Sequence, residues 1–171
     1  MYKFLTELGA AVTFISSVSI PPTLAQADSL LSPIVKDLQQ QTSVPVRLPQ
    51  QITNQVEPTI YTTIWFAEPT GYGINLDFTP SCLGARSCNY GTFVVQLASG
   101  SGELLAGERV PLAQNKIGYF TDYMCNGAGC SDARLIWDQD GYRYYVEIKA
   151  GQLESLVTIA NSVIDSHPIA T

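Results

Sequence analysis

Between Arg134 and Ser166 the hydrophobic period of the chain changes once, from two to about 3.6, and that single change limits the folds open to it. Leu135-Ile136-Trp137 and Tyr142-Arg143-Tyr144-Tyr145-Val146-Glu147-Ile148-Lys149 are β-branched and aromatic runs. They flank Asp138-Gln139-Asp140-Gly141, so the stretch reads as a β-hairpin around a glycine-containing turn. After Ala150-Gly151, residues Leu153, Leu156, Val157, Ala160, Val163 and Ile164 recur on one helical face. Such a stripe must be covered. Tyr142, Tyr144, Val146 and Ile148 share one side of the second strand and offer the cover. The other side carries Arg143, Tyr145, Glu147 and Lys149, where a partner is to be sought.

Upstream the pattern is mostly β. Ile60–Phe66 is strand-rich, Glu68-Pro69-Thr70-Gly71 is a turn, and Tyr72–Phe78 alternates with Tyr72, Ile74, Leu76 and Phe78 on one face. The alternation predicts one buried and one wet face, as in an antiparallel sheet backed by helices on a single side. Phe93–Leu97, Glu108–Leu112 and Gly118–Met124 read as further strands, and Ser99-Gly100-Ser101-Gly102 as a loop. Ser29–Gln41 has helical spacing at Leu30, Leu31, Ile34, Val35 and Leu38, with Pro33 acceptable only in the first turn. That segment, between the processing site and Gln39–Ser43, is expected to be a loosely held arm. The prolines of Val44-Pro45-Val46-Arg47-Leu48-Pro49 exclude a central strand and predict an extended edge or loop leading into the domain. The expectation is one α+β domain over residues 60–171, an antiparallel sheet with a C-terminal helix packed on one face. An N-terminal helix and extended arm precede it over 28–59.

The amino-terminal segment bears on compartment. Lys3, the apolar run Leu8–Val18 and Ala25-Gln26-Ala27 make residues 1–27 resemble a cleavable signal peptide, with Asp28 the first mature residue. Glu7, the serines and the prolines interrupt the run short of the ~20 apolar residues of a membrane span. The competing reading is an uncleaved anchor. Periplasmic or secreted localisation is expected.

In that setting four cysteines read as disulfides. Four allow three connectivities. The local pairs Cys82 with Cys88 and Cys125 with Cys130 are preferred, because each brackets a short loop between predicted strands. Closing loops this small restrains the unfolded chain by ~2 kcal/mol each, and a crossed pairing such as Cys82 with Cys125 by ~4 kcal/mol, so energy alone leaves the choice open. The cysteine spacings are wrong for a tight zinc knuckle, and there is no Cys-x-x-Cys redox motif.

Few residues point to chemistry. The formal charge of −6 disfavours nucleic acid and anionic lipid surfaces. His167 is the only histidine and follows the helix stripe, where it suits a helix C-terminus better than a general base. Asp138-x-Asp140-Gly141 with Glu147 imitates part of a calcium loop, but Ile136 would occupy the first ligand position. Asp122 and Asp132 flank the second cysteine loop. No catalytic residue, metal or cofactor is assigned. The expected function is an exported, non-catalytic binding or envelope-associated module with a small-molecule or protein partner. The alternatives are an envelope hydrolase working through paired carboxylates, and a carrier of an apolar ligand.

Cys82…Cys88, Gly107-Glu108-Arg109-Val110-x-Leu112, Gly118-Tyr119, Cys125…Cys130 and Ile136-Trp137…Gly141-Tyr142-x-Tyr144 together resemble exported cyanobacterial proteins of unknown function. Gln152-Leu153-Glu154-x-Leu156-Val157-x-Ile159-Ala160-Asn161-Ser162 is similar to their last helix, and Pro45–Pro49 to their opening motif. The resemblance implies a small exported α+β domain and carries no catalytic residues.

Overall fold

The structure is a computed structural model and describes residues 28–52, 59–100, 105–127 and 129–169. The expected signal segment, residues 1–27, lies outside the described residues. The strands are β1 (Tyr61–Glu68), β2 (Gly71–Asp77), β3 (Asn89–Leu97), β4 (Glu108–Pro111), β5 (Ile117–Thr121), the two-residue β6 (Cys125–Asn126) and β7 (Gly129–Cys130), β8 (Ala133–Gln139) and β9 (Tyr142–Ile148). The helices are α1 (Val35–Gln41) and α2 (Leu153–Ile164). Seven strands form one sheet in the order β1-β2-β3-β9-β8-β5-β4, every neighbour antiparallel, and β6 and β7 make a separate small hairpin. The α+β architecture expected of the sequence is present, with α2 packed on β8 and β9.

The β8–β9 hairpin is tighter than the sequence suggests. Asp138 and Gln139 belong to β8 and pair with Arg143 and Tyr142, which leaves Asp140-Gly141 as the whole turn. Both turn residues have positive φ, 54° and 83°. That is the geometry whose twist matches the flanking strands, and it explains the glycine.

On the side facing α2, an aromatic ladder crosses four strands. Trp137 stacks on Tyr144 at 5.3 Å, Tyr144 meets Phe93 at 6.4 Å, and Phe93 meets Tyr72 at 6.5 Å. All four rings are buried, and they form the centre of the core together with Leu156, Ile159 and Val163 of α2. The helix is rotated slightly from its sequence stripe: Ile159 and Ser155 are buried, whereas Leu153 and Val157 are only half-buried.

The segment expected to be a loosely held arm is part of the core. Pro33 sits in a short 3-10 turn, Ser32–Ile34, that leads into α1. Leu31, Leu38, Val44, Val46, Leu48 and Ile52 are all buried in the same cluster as the ladder. The prolines keep this strap out of the sheet, but they leave it free to lie across the sheet's face. Tyr72 fastens it there: its hydroxyl donates to the Arg47 carbonyl at 2.6 Å and accepts from the Arg47 amide at 3.0 Å.

The sheet's side away from α2 is not simply wet. Every residue of β2 is buried, including Gly73, Asn75 and Asp77, which alternation placed in solvent. A bulge in β1 between Ile64 and Phe66 is the first reason. It lets both Trp65 and Phe66 lie over Gly73, where even a methyl group would collide with the Phe66 ring. The second reason is the loop closed by Cys82 and Cys88. It folds over Asn75 and Asp77, with Gly84 against the Asn75 amide and its N–H donating to Asp77 Oδ2 at 3.3 Å.

Candidate functional site

The four residues expected to face a partner do not form an open surface. Arg143 is buried and holds Asp138 with two bonds, Nε to Oδ1 at 2.8 Å and Nη2 to Oδ2 at 3.0 Å. Glu147 lies between Arg134 Nε at 2.7 Å and the Thr92 hydroxyl at 3.4 Å. Tyr145 is half-buried, and the Arg134 guanidinium stands 5.9 Å from its ring centre. These three side chains are occupied by cross-strand neighbours. Lys149, one residue beyond β9, is exposed and belongs to a different place.

That place is a cleft of about 560 Å³ at the end of the sheet where β9 finishes and β3 and β8 begin. Its position follows from register. Gly91 and Ala133 both pair with Ile148, so the first disulfide loop leads into the sheet on one side of β9 and the second leads into it on the other. The first wall carries Arg86 and Asn89; the second carries Tyr123, Cys130 and Asp132. Lys149 and Ala150 lie between them.

Both walls are closed by disulfides with the local pairing, Cys82–Cys88 and Cys125–Cys130. Each loop is anchored differently. Asp77, wholly buried, accepts from the Asn89 side-chain amide at 2.9 Å, and Asn89 also donates to the carbonyls of Leu76 and Gly91. The second loop is the β6–β7 hairpin, exposed at its described residues 125–127, 129 and 130, with the Met124 amide donating to Ser131 Oγ at 2.9 Å. Two cations join the walls: Arg86 Nη2 donates to the Cys130 carbonyl at 2.7 Å, and Lys149 Nζ donates to the Arg86 carbonyl at 2.6 Å.

The remaining candidates fall apart spatially or have structural partners. Asp132 lines the cleft, whereas Asp122 does not and accepts from the Tyr123 amide at 2.8 Å. Of the turn carboxylates, Asp138 is held by Arg143 and Asp140 by Arg47 at 2.8 Å. His167 is exposed beyond α2. Among the described residues no cluster of three or more His, Cys, Asp or Glu side chains is placed to hold a metal.

Of the aromatic residues read as strand residues, Tyr72 and Tyr144 are buried on the core side, while Trp65, Tyr61 and Tyr123 are partly exposed. Burial pushes the Tyr72 phenol well above its usual range and the Tyr144 phenol up to about 12. Tyr72 is held by its hydrogen bonds to the strap and Tyr144 by stacking on Trp137, and burial favours the neutral phenol of each. Tyr90, which packs edge-on against Phe78, is raised by burial as well.

Arg86 was not singled out in the sequence. A lone arginine in a cysteine loop carries no signal until the β3–β9 pairing places it beside Lys149. Among the described residues no helix is long and apolar enough to cross a membrane. In comparison with known proteins, no family model, no curated protein and no solved structure matches the chain. The resemblance drawn from the cysteine pairs, the hairpin and the last helix therefore rests on those motifs alone.

Proposed function

We propose that the chain is an exported binding module of the periplasm or cell envelope, and that the cleft between its disulfide loops is where it binds. The observation that carries this reading is the convergence of both disulfide-closed segments on one cleft, the first through Arg86, Ser87 and Asn89 and the second through Cys125 and Cys130 themselves. Two cross-links of small loops, placed away from the aromatic core, rigidify that end of the sheet, and holding loops in one conformation lowers the ordering cost of binding. A volume of about 560 Å³ lies in the range of small-molecule sites rather than polymer grooves.

Export is supported by the disulfides themselves, which persist in oxidising compartments. It is also supported by Asp28, the first residue after the expected cleavage point. Its amide donates to the Pro49 carbonyl at 2.8 Å, and its carboxylate accepts from Leu30 and Ile52. Asp28 is thus fastened to the strap.

The test is native mass spectrometry of protein purified from its own envelope under non-reducing conditions. The expected result is a recurrent small molecule that is released on denaturation and lost from protein with cleft substitutions. Protein that is reproducibly free of ligand in that preparation would count against the binder, and turnover of an envelope glycan by the same material would favour the hydrolase alternative.

A further inference from the structure

The charge balance of the cleft narrows the kind of ligand. The sheet arginines Arg134 and Arg143 and the strap's Arg47 each reach a carboxylate within 2.8 Å. Arg86 and Lys149 do not: among the described residues their contacts are to neutral carbonyl oxygens, at 2.7 and 2.6 Å. These bonds position the two cations without cancelling their charge. A guanidinium has five N–H donors and an ammonium three, so both keep donors free for a ligand. Asp132 lines the second wall, and the three groups together leave one net positive charge in a chain whose formal charge is −6. The rest of the surroundings are mostly apolar or small: the Tyr123 ring, the Cys125–Cys130 disulfide and Ala150.

We propose that the cleft takes an amphiphilic organic anion, its acidic group on Arg86 and Lys149 and its apolar body against Tyr123 and the second disulfide. The inference rests on the binder reading above and specifies the ligand class of the same site. A fixed pair of cations, neither of them bonded to a carboxylate and together outweighing Asp132, favours a carboxylate, sulfonate or phosphate head, because charge-assisted hydrogen bonds are stronger than neutral ones. An aromatic and disulfide wall favours a body that has apolar surface to bury.

The probes are phenylbutyrate, its neutral amide and inorganic phosphate, titrated into the disulfide-intact protein and followed by backbone-amide NMR. Phenylbutyrate is expected to shift the amides of Ser87, Ser131 and Ala150 saturably, and the neutral amide to bind about tenfold more weakly. Lys149→Gln keeps a donor for the Arg86 carbonyl while removing the charge. It should weaken phenylbutyrate about tenfold with an unchanged melting temperature. Should that variant unfold, Arg86→Gln supplies the same comparison. Equal binding of acid and amide, or unmoved cleft amides, would overturn the proposal. Phosphate binding as tightly as phenylbutyrate would also overturn it, by showing that the apolar wall is idle. The two readings fail separately. A ligand co-purifying with protein whose cleft ignores these probes leaves the binder and removes the amphiphilic anion. Saturable probe binding by protein that carries no native ligand keeps the ligand class of the cleft and removes only a ligand retained through purification.

Discussion

Asn161 sits in the run Ala160-Asn161-Ser162, and each of the three side chains meets a different neighbour. Ala160 is fully buried against the sheet, where a larger group would force the helix away. Asn161 Oδ1 accepts from the Ala113 amide at 2.7 Å, tying α2 to the turn before β5. Ser162 Oγ accepts from the Gln50 amide at 3.2 Å, tying α2 to the strap. Asn161→Ala removes the acceptor and leaves a partly buried N–H without a partner, so it should destabilise the fold by about 1–2 kcal/mol in urea unfolding. Arg47, three residues before Gln50 in the strap, has a comparable role. Its guanidinium donates to the Ser166 carbonyl at 2.7 Å and to Asp140 at 2.8 Å, so one side chain joins the strap, the end of α2 and the hairpin turn. Composition announces neither role, because an asparagine in a helix and an arginine between prolines are ordinary until their partners are known.

At the scale of elements, the β8–β9 hairpin was the most legible part of the chain and α2 the next. Alternation assigned Tyr142, Tyr144, Val146 and Ile148 to the core correctly, since side-chain direction in a strand depends only on parity. Turn length was less legible. Two acidic residues before a glycine resemble a four-residue turn, but Asp138 is drawn into β8 by its pairing with Arg143. Because Gly141 has φ 83°, Gly141→Val should cost about 1–3 kcal/mol, read as a lowered denaturation midpoint with unchanged slope. A comparable loss at Asp140→Gly is not expected, as glycine accepts the φ of 54° found there; that change would report instead the exposed ion pair with Arg47. The strap was less legible for a related reason. Prolines exclude ladder hydrogen bonds, but they say nothing about whether the side chains between them are buried. Val44, Val46 and Leu48 stand outside the ladder and still bury their side chains.

The molecule as a whole joins a core on one side of a sheet to a disulfide-closed cleft at one of its ends, and the two should respond to different stresses. Tyr72, Tyr90 and Tyr144 are phenols whose burial raises their pKa, Tyr144 to about 12. Below the unfolded value of 10.0 for Tyr144, folded and unfolded chains are both protonated and the contribution is constant. Above it the unfolded chain loses protons that the folded chain retains, so stability falls as pH rises toward about 12. Thermal melts at increasing alkaline pH should show this decline, and Tyr144→Phe should flatten it. An equally steep decline in the Phe variant would assign the loss to other groups.

What the sequence determined by itself was local. The alternation of β9, the face of α2, the turn glycine and the proximity of each cysteine to its partner depend on residues within a few positions of one another. Periodicity and loop closure act over that range. Tertiary structure alone decided the rest: the burial of the strap, the covering of β2 by Phe66 and the first disulfide loop, and the meeting of Arg86 with Lys149. Those outcomes depend on β3 pairing with β9 across about fifty residues of chain, and no periodicity carries a register over such a separation. The candidate site is therefore a product of strand order, assembled from residues that are unremarkable in their own neighbourhoods.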